Sequence, residues 1–382
     1  MKTPFYKYLS ASFIILTLFN VQNTRSQNDS STISLLFMGD IMGHDSQITA
    51  ALQENGNYDY TECFKFVNSR IDSADLAFAN LEVTLAGEPY KGYPQFSSPD
   101  ALASALKQTG IDVLVTANNH ACDRGRNGIT RTIQVLDSLQ FLRTGTFTDS
   151  SDYNKNNPLI IEKKNFKIAL LNYTYGTNGI PVPDGQIVNL INKSKIESDL
   201  TQTRALNPDL IIAFMHWGTE YQTTSNSAQK DLAKFLTANG VSLIIGSHPH
   251  VLQPMEFDSI SNKLIVYSLG NFISAQRKAP RDGGVIVNVQ IEKNNDQIKI
   301  KHADYELTYV HYPFINGKRH FMIIPASDVG KDFIANAPGN QGWGRLFEYT
   351  SEAREILKQN VNVPEKYAEG IYDTQSQVTT KK

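Results

Sequence analysis

The chain has 382 residues, 36 of them basic and 38 acidic, and a formal net charge of −2. This length allows a large buried core in one or two domains. The near-neutral charge excludes a global basic field of the kind that captures nucleic acid or anionic lipid, so we expect no nucleic-acid partner and only local anion binding. The two cysteines, Cys63 and Cys122, are too few for a disulfide framework.

The N-terminus has the layout of a secretory signal. Lys2 and Lys7 precede an apolar stretch over residues 8–21, which is shorter than the roughly 20 residues that a membrane span needs. A polar segment follows, and Ser26 ends a fair small-residue cleavage site. We therefore expect residues 1–26 to be a cleaved signal peptide and the protein to be exported to the periplasm or cell envelope, with a retained anchor as the alternative.

From residue 31 onward, a short apolar run followed by a cluster of metal-binding or proton-transferring side chains occurs six times. Such runs are typical of strands buried on both faces of a sheet, and helical intervals between them favour parallel crossovers. Ligands collect beyond the carboxyl ends of such strands, where all six clusters fall. The runs cover residues 33–37, 76–79, 111–115, 210–214, 241–245 and 264–267.

The intervals predict the remaining elements. Ser98-Pro99-Asp100 supplies a cap and a first-turn proline for a helix that Gly110 ends. Alternating apolar residues after Gly284 predict antiparallel strands. We also expect helices over 125–140, 227–239 and 346–358 and a hairpin-like pair over 160–176. The fold class is therefore α/β, with a largely parallel central sheet and an antiparallel C-terminal part.

Carboxylate, amide and imidazole groups end these runs. A mixed oxygen and nitrogen set suits manganese, iron or zinc, whereas magnesium or calcium favours oxygen alone. Taken singly, a Gly-Asp pair is usually a turn and one histidine is usually structural. Five of the eight histidines converge on the same strand ends, which favours a metal site. These histidines are His44, His120, His216, His248 and His250; the other three, His302, His311 and His320, are interpreted as structural.

The motifs GDIM, ANLE, TANNHACDRG, NYTYGTNG, HWGTEY, GSHPHVLQPME and YSLGNF, in this order, resemble the capsule-synthesis protein CapA family. The resemblance covers about residues 32–315. It implies the calcineurin-like metallophosphoesterase fold, layered α/β/β/α, and an association with poly-γ-glutamate capsule synthesis or export. We therefore expect a domain over residues 32–325, followed by a C-terminal helical extension and tail over 326–382.

The resemblance also implies roles for individual residues. His120 is the expected general acid, and Asp123 either orients its imidazole or caps the following helix. Glu82 departs from the usual superfamily pattern, so its role as a bridge between two cations, a ligand of one or a brace of the loop stays open, as does the choice between one metal ion and two. The expected metal ligands are Asp40, Glu82, Asn119, His216, His248 and His250.

Substrate contacts are expected from other side chains in the same strand-end loops. The aromatic residues there either bind substrate or pack the loops, and Glu220 is a candidate for orienting His216. The candidates for substrate binding are His44, Tyr175, Trp217, Glu220, Asn271 and Arg277.

Three functions follow from this sequence. The first is an exported CapA-like protein that acts on an anionic envelope polymer through a metal-dependent hydrolase site. The second is a periplasmic phosphoesterase acting on small phosphate esters. The third is a non-catalytic metal-binding partner of membrane synthase components, because a fold alone does not decide the reaction.

Overall fold

The structure, a computed structural model, describes Met1 and residues 30–330 and 343–366. The predicted signal peptide beyond Met1, its cleavage point near Ser26 and the polar C-terminal end all lie outside the described residues. Within the described residues, no helix is both long enough and apolar enough to cross a bilayer.

Eighteen strands and nine α-helices occur among the described residues, together with one 3-10 helix at Ala326–Asp328. The strands are β1 (Ser30–Ile41), β2 (Leu76–Leu81), β3 (Val113–Val115), β4 (Leu142–Thr144), β5 (Thr146–Phe147), β6 (Leu159–Lys163), β7 (Phe166–Thr174), β8 (Ile187–Val188), β9 (Leu210–His216), β10 (Leu243–Ser247), β11 (Leu252–Asp258), β12 (Lys263–Leu269), β13 (Asn271–Ile273), β14 (Gly283–Asn294), β15 (Gln297–His311), β16 (Phe314–Ile315), β17 (Lys318–Arg319) and β18 (Met322–Pro325). The helices are α1 (Asp45–Ala51), α2 (Thr61–Phe64), α3 (Asn68–Asp72), α4 (Asp100–Gln108), α5 (Gly125–Ser138), α6 (Ser150–Asn156), α7 (Lys193–Ala205), α8 (Ser227–Ala238) and α9 (Trp343–Leu357).

The six apolar runs are divided between two sheets. The first sheet has the order β18-β15-β14-β1-β2-β3-β4, with β13 paired to β1, and the second has the order β11-β12-β10-β9-β7-β6. Strands β1 to β4 are parallel in the first sheet, and β12, β10, β9 and β7 are parallel in the second. The antiparallel hairpin of β14 and β15 continues the first sheet, as the alternating sequence predicts.

The core is arranged in layers. One apolar cluster contains inward-facing side chains of both sheets, such as Phe37, Phe78 and Phe214, and therefore lies between them. A second cluster joins the first sheet to helices α1 to α5, and a third joins the second sheet to α7 and α8. This order of layers confirms the predicted α/β/β/α fold; the runs alone did not reveal that they belong to two sheets.

The two sheets meet where the site forms. Strand β12 belongs to the second sheet, and β13 follows it after Gly270 and pairs with the end of β1 in the first. A Cβ at Gly39 would lie 1.9 Å from the carbonyl oxygen of Gly270, so only glycine permits this approach. The neighbouring Asp40 amide donates to the same carbonyl at 3.0 Å, which fixes the carboxylate at the junction of the sheets.

Candidate metal centre

The structure brings the six predicted metal ligands into one buried cluster. They come from strand ends of both sheets, because the carboxyl ends of the parallel strands meet at one edge of the molecule. Asp40 lies in β1, Glu82 directly follows β2, Asn119 lies after β3, His216 ends β9, and His248 and His250 follow β10. The largest exposure among them is 3%, at His248.

Glu82 lies at the centre of this cluster. Two sets of ligand atoms, each within 4.8 Å of one another, share it: Glu82 with His216 and His248, and Glu82 with Asp40 and His250. Its Oε1 lies 3.6 Å from His216 Nε2 and 3.7 Å from His250 Nε2. Both sets are compatible with a divalent ion, and Glu82 is the residue that they share.

Asn119 and Asp40 place oxygen atoms next to the histidines of the two sets. The Asn119 Oδ1 lies 2.8 Å from His216 Nε2, on the side of that ring that faces Glu82. The Asp40 Oδ2 lies 3.2 Å from His250 Nδ1 and accepts from the His248 amide at 3.3 Å. The donors therefore mix carboxylate and amide oxygens with imidazole nitrogens, a combination that suits manganese, iron or zinc.

The two histidines around Pro249 adopt an unusual backbone conformation. His248 has φ +99° and His250 has φ +58°, both in the left-handed region that residues with a Cβ rarely occupy. The tight turn brings their ring centroids to 6.2 Å from each other. Backbone strain of this kind persists where the surrounding structure fixes a functional geometry.

Burial shifts the protonation of the cluster. Desolvation, followed by the charge of Asp40, raises the pKa of the Glu82 carboxyl well above its usual value. Desolvation also lowers the pKa of His216 well below its usual value and the pKa of His248 to about 3. The imidazoles of His216 and His248 are therefore neutral at physiological pH, which is the protonation state that binds metal.

Two buried atoms of the cluster have no hydrogen-bond partner among the described residues, namely Glu82 Oε1 and His248 Nδ1. An unpaired buried carboxylate oxygen is costly in the absence of a cation. Both atoms belong to ligands of the first set, so the cluster fits a divalent ion by an observation independent of the ligand spacing.

Polar side chains around the cluster orient the ligands. Ser247 Oγ lies 3.0 Å from His216 Nδ1, and Asn271 Oδ1 lies 3.1 Å from His250 Nδ1. The Asn80 amide donates to Asp40 Oδ1 at 2.8 Å and lies 3.3 Å from Glu82 Oε2. Sequence reasoning did not assign a role to Asn80 or Ser247; the only signal was their position beside a ligand in the ANLE and GSHPH motifs.

His120 lies next to the cluster, and Asp123 holds one edge of its imidazole ring. Its Nδ1 lies 2.8 Å from Asp123 Oδ2, which also accepts from the Phe96 amide at 2.6 Å. Helix α5 begins after Arg124 without a side-chain cap, so Asp123 orients the imidazole and does not cap the helix. The Phe96 ring packs edge-on against the imidazole at a centroid distance of 4.7 Å.

A cavity of about 490 Å³ opens onto these groups. His120, Asp123 and His250 line it, so the predicted acid and one candidate metal ligand face the same space. His44, a predicted substrate contact, also lines it, and burial lowers the pKa of this imidazole to about 4.

The other predicted substrate contacts divide into two groups. Tyr175 is 47% exposed and its ring lies 4.5 Å from that of His248, so it covers the cluster from the solvent side. Glu220 lines the cavity. It does not orient His216, because the ring nitrogens of that residue contact Ser247 and Asn119 instead.

Three further predicted substrate contacts do not line this cavity. Trp217 is 2% exposed and donates its indole N–H to the Tyr267 carbonyl at 3.0 Å, so it packs in the core. Asn271 is fully buried and positions His250. Arg277 donates to the carbonyls of Val310 and Ser274, both at 2.7 Å, which commits its guanidinium to the backbone.

The three histidines interpreted as structural lie outside the cluster. His302 Nε2 contacts Asp304 at 2.7 Å, and His320 Nδ1 contacts Glu62 at 2.7 Å. His311 stacks on Trp343 at a centroid distance of 4.3 Å.

Fold and site together define an α/β/β/α protein with a buried centre of carboxylate and imidazole groups. The sequence matches the family described as "Bacterial capsule synthesis protein PGA_cap" over residues 34–276. Because this match covers more than half of the chain, the protein belongs to that family.

Individual relatives agree with this assignment. The chain is 27% identical to the capsule biosynthesis protein CapA of Bacillus anthracis over 71% of its own length and 66% of the relative's. It is 28% identical to the PGA biosynthesis protein CapA of Bacillus subtilis (strain 168), over 69% and 68% of the two lengths. The matches thus span about two thirds of these relatives.

One solved structure that the chain is similar to is that of a novel phosphatase of Mycoplasma pneumoniae. It has a TM-score of 0.44 and 17% identity, and the alignment covers 72% of this chain and 94% of that one.

Proposed function

We propose that this protein is exported and acts in the synthesis or export of poly-γ-glutamate or a related envelope polymer, and that the strand-end cluster is a metal-dependent hydrolase site of the phosphoesterase type. Family membership over residues 34–276 supports the capsule role. The names of the two Bacillus relatives, which refer to capsule and PGA biosynthesis, support the polymer.

The observation that carries the hydrolase site is the position of Glu82 Oε1. This atom is buried and lacks a hydrogen-bond partner among the described residues, and Glu82 belongs to both ligand sets. Glu82, His216 and His248, or Asp40, Glu82 and His250, would hold a divalent ion, which would supply Lewis-acid chemistry and an activated water when bound.

The residues of the chain supply proton transfer and positioning. Asp123 holds His120 through Nδ1, which leaves Nε2 as the atom that can carry a proton to a leaving-group oxygen. The Phe96 ring restricts the orientation of the imidazole. Because His120 and His250 line one cavity, a bound substrate can contact both the acid and the candidate metal centre.

The test compares metal content and turnover in purified protein. We expect His120→Ala to lower manganese-dependent hydrolysis of bis(p-nitrophenyl) phosphate or of a γ-glutamyl polymer by about 10²- to 10⁴-fold, with bound metal unchanged. Asp123→Asn, which keeps the size of the side chain, should give a smaller loss. Turnover of the phosphate ester alone favours the small-ester phosphoesterase. Stoichiometric metal without any hydrolysis in the wild type favours a non-catalytic partner of a membrane synthase.

A further inference from the structure

The cavity beside the candidate metal centre has no permanent cation in its wall. Its described lining residues include Asp123 and Glu220 but neither lysine nor arginine. Metal ions alone would therefore have to neutralise a substrate that carries several negative charges. A positive group just behind this wall is the natural place to look for a second anion contact.

Arg281 is such a group. Its guanidinium carbon lies 3.1 Å from the centroid of the Tyr221 ring, and Tyr221 lines the cavity. The same tyrosine ring lies 6.1 Å from that of His250, at an interplanar angle of 28°. Arg281 is thus separated from a candidate metal ligand by a single aromatic ring.

Tyr221, on whose ring Arg281 stacks, is fixed by backbone contacts. Its backbone has φ +67°, and its amide donates to the Pro249 carbonyl at 2.8 Å, within the turn that presents the two histidines. The backbone of Arg281 is tied to the same region, because Asn271 donates to the Arg281 carbonyl at 2.7 Å and contacts His250 through its other amide atom. Arginine, tyrosine and histidine are therefore fixed relative to one another.

Within the described part of the chain, no acceptor occupies the side-chain donors of Arg281. Its guanidinium forms no hydrogen bond or ion pair with any described side chain or carbonyl, and its Nε is buried without a partner there. Arg277, four residues earlier, also has a buried Nε without a partner among the described residues, but two backbone carbonyls accept from its terminal nitrogens at 2.7 Å. A stacked guanidinium keeps its edge free for a planar oxyanion, which it can bind through two parallel hydrogen bonds.

We propose that Arg281, supported by the Tyr221 ring, is an anion-binding subsite that docks a carboxylate or phosphate group of the substrate beside the candidate metal centre. The inference rests on the proposed function, because it concerns the substrate of the same site. It assigns to Arg281 the substrate-binding role that the sequence suggested for Arg277. Because Arg281 lies beyond His250, it would determine substrate affinity and specificity without contacting the bond that reacts.

The experiment uses the full chain loaded with manganese and measures the binding of two probes by calorimetry, γ-linked hexaglutamate and inorganic phosphate. Arg281→Gln should weaken binding of the recognised probe about 10- to 100-fold, as expected for the loss of charge-assisted hydrogen bonds. Arg281→Lys, which keeps the charge but loses the planar fork, should restore only part of it. Lys278→Gln removes an exposed charge from the same loop and should change binding less than twofold.

The probes separate the two sources of the anion. A loss confined to hexaglutamate identifies a carboxylate subsite, a loss confined to phosphate identifies a phosphate subsite, and a loss for both supports a general oxyanion site. Equal binding by Arg281→Gln and Lys278→Gln, or no binding of either probe by the wild type, overturns the subsite.

Metal content and hydrolysis, measured on the same samples, report on the proposed function separately. If the wild type hydrolyses its substrate and Arg281→Gln leaves both KM and kcat unchanged, the subsite fails while the hydrolase stands. If Arg281→Gln weakens probe binding but no form of the protein hydrolyses either substrate, the subsite stands while the hydrolase fails.

Discussion

Two regions of this protein are equally buried and have opposite chemistry. The layer between the sheets is apolar, and the rings of Phe37 and Phe78 stack within it at 4.9 Å. The cluster at the strand ends is polar, and Glu82 there is as inaccessible as either phenylalanine. Burial stabilises the first region through the hydrophobic effect, whereas in the second it opposes ionisation and leaves atoms without partners. The comparison shows that the stabilisation from the apolar layer offsets the free-energy cost of burying the polar cluster.

The largest expected effect tests the stabilising region. Phe166 is 1% exposed at the start of β7, at the end of the strand opposite to the site. Phe166→Ala should lower the free energy of unfolding by about 3–5 kcal/mol, because it removes buried surface and leaves a cavity. Chemical denaturation measures this loss. Metal stoichiometry of the folded variant should equal that of the wild type, and a loss of metal would show that the two regions are not independent.

The second prediction concerns the cluster itself. His248→Ala and His250→Ala should each lower metal affinity by more than about 100-fold, since even partners outside the ligand set contribute 10- to 100-fold. The fold should persist, because the apolar strands before these residues form the core. Metal analysis and circular dichroism check both statements, with His302→Ala, outside the cluster, as the control. Unchanged metal content in both variants would contradict the site.

The third prediction concerns the residue that orients His216. Ser247→Ala removes the oxygen that lies 3.0 Å from His216 Nδ1 and should lower metal affinity by about 10- to 100-fold. Ser268→Ala is the matched control, because this buried hydroxyl donates to the Val251 carbonyl at 2.7 Å and not to an imidazole. Competition with a chelator measures the affinity. Equal affinity in the two variants would show that Ser247 does not hold the ring.

The smallest effect is expected to have the opposite sign. In metal-free protein, Glu82→Gln should raise the free energy of unfolding at neutral pH by about 1 kcal/mol, because it removes a carboxylate whose ionisation burial disfavours. A raised folded-state pKa lowers stability as the pH rises above the unfolded value, so the gain should vanish below about pH 4.5. Thermal melts with chelator across this range measure it. The same variant should lose the stabilisation that manganese gives the wild type.

The sequence predicted the elements well where a local signal exists. The helix expected between Pro99 and Gly110 is Asp100–Gln108, but its N-cap residue is Pro99 and no side chain caps it, so the cap predicted from Ser98-Pro99-Asp100 is wrong. The helix expected over 227–239 is Ser227–Ala238, which the Asn226 side chain caps. The third strand is shorter than its apolar run and begins at Val113. The helix expected over 346–358 is Trp343–Leu357.

The sequence predicted the side chains of the cluster but not the contacts that surround it. Donors that end apolar runs can be recognised one strand at a time, as for Asp40 and His216. Contacts such as that between Arg281 and Tyr221 join residues 60 positions apart in the sequence, and no local pattern marks them. Trp217 and Arg277 were predicted to contact substrate because no local pattern shows their actual partners. Their side chains donate to the carbonyls of Tyr267 and Val310, which lie on strands distant in sequence.

By itself, the sequence determined the α/β class, the identity of the polar groups at the strand ends and their convergence, because apolar runs and their terminal residues are local properties of the chain. Only the tertiary structure decided that the runs form two sheets, that Glu82 belongs to both ligand sets and that, among the described residues, backbone carbonyls accept from the terminal nitrogens of Arg277, whereas Arg281 stacks on Tyr221. The physical reason is that these properties depend on distances across the junction of the sheets, where strands distant in sequence set the burial and the partners of each side chain.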